Sequence, residues 1–134
     1  MIWHLETYAV KSRCMTIKTF RDLRIWQEAH ALSLEIYRIT KYFPIDERFG
    51  LTDQIRRSAT SVGANIAEGK GCGTKKQFIH FLHIAKGSAQ ETINFCLVAR
   101  DLNFLESTIC RELIHRYDGL IAGIRKCISS MDEK

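Results

Sequence analysis

The chain has 134 residues, 46% of them hydrophobic and 26% charged, the ordinary balance of one folded domain with one core. No run approaches the roughly 18 apolar residues a membrane span needs, and the opening MIWHLETYAVKSRCM lacks the charged, apolar and small-residue layout of a signal peptide. The formal charge of +5 is concentrated: Arg48 to Lys86 holds seven basic residues against two acids, while the rest of the chain is balanced.

Residues 1–14 carry no clear period, and residues 1–19 are read as a peripheral extension of a bundle domain spanning 20–134. The first predicted helix runs from about Asp22 to Tyr42. In it Leu23, Trp26, Ala29, Ser33, Ile36 and Thr40 return at three- and four-residue steps. Phe43-Pro44 ends it, because the residue before proline avoids the helical region. A second helix starts between Glu47 and Leu51 and reaches about Glu68, with Leu51, Ile55, Ala59, Val62 and Ile66 as its stripe. The run GKGCG, Gly69 to Gly73, then turns the chain. Thr74 with Gln77 reads as a capping box that opens a third helix carrying Phe78, Phe81, Leu82, Ala85, Ala89, Thr92, Cys96, Ala99 and Leu102. Asn103 is its predicted left-handed stop, and Ser107 the predicted cap of a fourth helix through Leu113, Tyr117, Leu120, Ile124 and Ile128. Long amphipathic helices joined by short loops predict an all-α, antiparallel up-down four-helix bundle.

The second helix has an unusual outer side. Ser58 to Ala67 contains no charge. At 100° per residue Thr60, Ala64 and Ala67 fall opposite the Ile55–Ile66 stripe, a composition suited to close packing and ill suited to open water. Gly63 costs about 1 kcal/mol in a helix interior relative to alanine, so it marks a place where something comes close. Thr60, Gly63, Ala64 and Ala67 are therefore predicted to face a second copy of the chain.

Little chemistry announces itself. GANIAEGK is not a phosphate loop: five residues separate Gly63 from Gly69, Gly71 follows the lysine, and no strand precedes it. His80 and His83 sit three apart without a third ligand, so no metal is expected. The five cysteines (Cys14, Cys72, Cys96, Cys110, Cys127) are odd in number and form no C-x-x-C, which argues against a disulfide framework and predicts a reducing cytoplasm. Asn65, Glu68, Ser88 and Glu91 are read as structural polar residues joining helices, and no catalytic set or cofactor is predicted. Arg56, Arg57, Lys70, Lys75 and Lys76 flank the second-to-third helix connection and are the candidate nucleic-acid contacts. Binding through them is charge-driven and steeply salt-dependent.

The segments FRDLRIWQEAHALSLEIYRITKYFP, ERFGLTDQIRRSATSVGANIAEG and KKQFIHFLHIAKGSAQE resemble the 23S rRNA intervening-sequence proteins, in unbroken order from about Phe20 to Leu105. The resemblance implies a small bacterial cytoplasmic four-helix bundle that assembles as a ring-like homopentamer, a state shared with the accessory proteins of diversity-generating retroelements. It also implies partners that are further copies of the chain and RNA or a nucleic-acid enzyme, with no known catalytic residues. Arg56 and Arg57 match the family's paired arginines, Asn65 and Glu68 its ANIAEG, and Ser88 and Glu91 its GS-x-x-E. Gly63 stands where the family usually has proline, and Cys72-Gly73 replaces a more basic loop.

Overall fold

The computed structural model describes residues 17–132, so the expected peripheral segment 1–14 lies outside the described residues. A 3-10 turn at Phe20–Asp22 precedes α1 (Arg24–Thr40). A second 3-10 turn at Ile45–Glu47 leads into α2 (Leu51–Gly71), followed by α3 (Lys75–Asp101) and α4 (Ser107–Asp132). Among the described residues there is no strand.

The helix ends follow local chemistry. Thr19 and Asp22 form a reciprocal cap: Thr19 Oγ1 accepts from the Arg21 amide at 3.2 Å, and the Asp22 carboxylate accepts from the Thr19 and Lys18 amides. Those two amides hold the Asp22 carboxyl below the usual carboxylate range. Leu23 is extended, which sets the start of α1 two residues later than expected. At the other end Phe43 donates to the Thr40 carbonyl ahead of Pro44. Glu47 reaches forward so that its Oε1 accepts from the Leu51 amide at 3.0 Å, supplying the cap that Gly50 lacks. Thr74 caps α3 by accepting from the Gln77 amide at 3.2 Å; Gln77 returns to the Thr74 hydroxyl instead of its amide, so the box is half closed. Asn103 is left-handed at φ 64°, as its sequence position predicts. Ser107 is the first helical residue of α4, not its cap.

Each helix packs on its neighbours in sequence, α2 against α3 most extensively, and α1 with α4 closes the bundle. The core takes the predicted stripes: Ile36, Ile55, Val62, Ile66, Leu82, Ala85, Ala89, Cys96, Leu120 and Ile124 are buried. Burying each large aliphatic contributes about 1.5–3 kcal/mol. Gly69 lets α2 and α3 close, since a Cβ there would stand 2.7 Å from Phe81 Cβ. On the outer side of the bundle Ile25 Cγ2 lies 3.3 Å from where a Cβ on Gly123 would be.

These contacts set the register. The N-terminal turn of α1, the α2–α3 turn and the last turns of α4 share one end of the bundle. The α1–α2 and α3–α4 connections share the other, where the Phe43 and Phe104 rings meet at 5.9 Å. No described helix is long and apolar enough to cross a membrane.

Candidate nucleic-acid interface

The five cations expected to act together are split between the two ends. Arg57 and Lys70 are thirteen positions apart on one continuous helix, which at 1.5 Å per residue is about 20 Å. Arg56 is also spoken for. Its Nε donates to Thr40 Oγ1 at 2.8 Å, Nη2 donates to the Tyr37 carbonyl at 3.5 Å, and the guanidinium lies 4.6 Å over the Tyr37 ring. Thr40 meanwhile donates to the Ile36 carbonyl, so Arg56 ties α2 to the C-terminal turn of α1. Arg57 points outward, 3.7 Å from Asp53. The expected five-residue patch thus reduces to Lys70, Lys75 and Lys76.

That end of the bundle holds other cations that sequence spacing concealed. The last turns of α4 pack beside the start of α3; burial raises the Cys127 thiol there and the Lys70 charge opposes the rise. Arg125 and Lys126, one or two residues before Cys127, are both exposed. Among the described residues no ion pair engages Lys70, Lys75, Lys76, Arg125 or Lys126. Ion pairs engage other arginines: Arg24 with Glu28, Arg38 with Glu35, Arg57 with Asp53 and Arg100 with Asp101. Of the acids at the cationic end, Asp22 is spent on the Lys18 and Thr19 amides, and Glu68 and Asp132 are exposed without an ion pair among the described residues. A cluster fifty residues away in the chain had no local signal; only the α3–α4 register brings it in.

The small-residue side of α2 is the floor of a groove. Thr60 and Ala64 are exposed and Ala67 is half-buried. Trp26, His30, Leu34 and Tyr37 of α1 wall the open groove of about 370 Å³. Trp26 and His30 stack at 4.7 Å. Leu34 and Tyr37, both off the core stripe of α1, are exposed; an apolar pair displaced from the buried face was the available signal for this wall. Gly63 needs a correction. It is buried, and the close approach comes from its own chain: Trp26 Nε1 lies 3.4 Å from the position of a Cβ.

The structural polar residues divide. Ser88 bonds across to Ser61, Oγ to Oγ, at 2.9 Å, and Asn65 Nδ2 donates to the Ser61 carbonyl at 2.8 Å within α2. One turn away Thr92 Oγ1 donates to Ser58 Oγ at 2.8 Å in the buried interior. Glu68 and Glu91 do not join these rungs; both are exposed. Glu91 instead edges an open groove of about 570 Å³ with Phe49, Asp53, Gln54, Arg57 and Ser61. Ser58, Ser61 and Thr92 were the missed members. The Tyr117 hydroxyl is buried without a partner, and burial pushes it well above the usual phenol value. Cys72, Cys96, Cys110 and Cys127 are free thiols, and burial pushes Cys96 up to about 12. His80 and His83 are exposed, and no group of three metal-ligating side chains forms among the described residues.

Comparison with known families gives a match to the 23S rRNA-intervening sequence protein over residues 21–126. The chain belongs to this family. The match covers all of α1, α2 and α3 and most of α4, so the residues matched to the 23S rRNA-intervening sequence family include those of the cationic end and the groove. A crystal structure of a protein with unknown function from the S23 ribosomal protein family of Bacteroides thetaiotaomicron VPI-5482 superposes with a TM-score of 0.71 at 23% identity. It covers 78% of this chain and 97% of that chain, a likeness of fold. No curated protein matches.

Proposed function

We propose that this protein is a non-enzymatic, oligomeric, cytoplasmic bundle that holds RNA, alone or within a ribonucleoprotein, at its cationic end. The observation that carries the reading is the cluster Lys70, Lys75, Lys76, Arg125 and Lys126 without an acidic partner among the described residues. Like charges gathered without direct ion pairs are mutually unfavourable, and a polyanion relieves that repulsion while releasing its own counterions. The family's name points toward RNA as well, though it names no ligand. The test is a salt titration of RNA binding for wild type against Lys75→Glu/Lys76→Glu. Both lysines are exposed, so the fold is expected to persist while affinity falls at least tenfold and the salt dependence flattens. Equal binding by the two proteins sinks the reading.

A second reading, an assembly protein whose partners are proteins, is favoured by the apolar groove between α1 and α2. Leu34 is 56% exposed and Tyr37 42% exposed there, beside the uncharged Thr60 and Ala64. The two readings join if copies of the chain bury the groove and leave the cationic ends open. A homopentamer is the state the family resemblance implies, and native mass measurement tests it.

A further inference from the structure

Resting on the RNA-binding reading, we infer that the cationic end holds the two phosphate rows of duplex RNA and not the bases of a single strand. Recognition of single strands combines cations with exposed aromatic faces on which bases stack. The exposed tyrosine and phenylalanine rings among the described residues are Tyr37, Tyr42 and Phe49, the latter two 83% and 84% exposed in the α1–α2 connection. All three belong to the other half of the bundle. At the cationic end the phenylalanine rings turn inward, and the exposed rings are the small imidazoles of His80 and His83. Phe78 lies half-buried 5.9 Å beneath the Lys70 ammonium, and Phe81 packs on Gly69. Phe20 meets Trp26 edge-on at 5.2 Å, and the exposed His80 imidazole is held edge-on to Phe81 at 5.3 Å.

The cations themselves suit phosphate better than base edges. Four of the five are lysines, compact point charges without the planar fork that reads a base edge. They also stand on three helices: Lys70 near the end of α2, Lys75 and Lys76 at the start of α3, and Arg125 and Lys126 on α4, which packs on α3. Cations fixed on separate packed helices gain most from an equally stiff array of phosphates, such as the two rows bordering the wide, shallow minor groove of A-form RNA. A flexible strand must be ordered to reach them all.

The experiment compares a blunt RNA duplex of about 16 base pairs with each of its separated strands, using the full chain, across a salt series. Duplex binding is expected to be at least tenfold tighter than either strand. The logarithmic salt slope should be about 4.5, from five neutralised phosphates at roughly 0.9 each. Arg125→Glu/Lys126→Glu should lower it by about 2 while retaining helical content. Single strands binding as tightly as the duplex, or α4 charge reversal leaving the slope unchanged, overturns the inference and leaves the RNA reading intact. No binding of any RNA overturns both.

Discussion

The glycines show how one atom's room decides the sign of a substitution. At Gly69 a Cβ would press on Phe81 Cβ at 2.7 Å and on Phe78 Cδ1 at 3.1 Å, so α2 and α3 would have to part. Gly69→Ala is therefore expected to destabilise by about 1–3 kcal/mol, the usual cost of overpacking. Gly87, in the middle of α3, has nothing within 4 Å of that position. There alanine only gains helix propensity, and Gly87→Ala should stabilise by about 0.5–1 kcal/mol. Chemical denaturation of the two variants checks both. Shifts of the same sign would show that packing at Gly69 is not what sets its identity. Neither outcome was readable in the sequence, where Gly69 opens the run expected to turn the chain and Gly87 falls in a helical pattern; the helix runs on through Gly69, and the difference lies in what faces each.

Adjacent arginines on α2 make the same point for elements. A step of one residue is a 100° rotation, which carries Arg56 onto Tyr37 and Thr40 of α1 and leaves Arg57 in solvent near Asp53. Arg56→Ala should cost about 1–2 kcal/mol by removing a hydrogen bond and a cation–π contact. Its effect on RNA affinity should stay within twofold. Lys75→Glu/Lys76→Glu should show the reverse, and measuring both properties on both variants separates clamp from contact. The four helices, their core faces and the Asn103 stop were legible because period and cap chemistry are local. The interface was not. Charge counted along the chain merged Arg56 and Arg57 with lysines about 20 Å away and passed over Arg125 and Lys126, which only helix pairing brings near.

For the whole molecule the central question is how copies meet. The groove offers an uncharged floor, Thr60 and Ala64, between exposed apolar walls on α1. Ala64→Glu places a carboxylate on that floor, where burial without a partner costs several kcal/mol. If copies meet there, the variant should sediment as a folded species of lower mass than wild type. An unchanged mass would move the contact to another face.

The hydroxyl rungs between α2 and α3 also bear on the route to the folded state. Ser58–Thr92 and Ser61–Ser88 join residues about thirty positions apart across a short turn, so the chain loop that must close is small and its entropic penalty modest. Every other pairing adds a helix to one already beside it, except the final seam of α1 on α4. A topology so rich in local contacts belongs with fast folders. The α2–α3 hairpin is its natural starting point, because its two helices find their alignment before either terminus is needed.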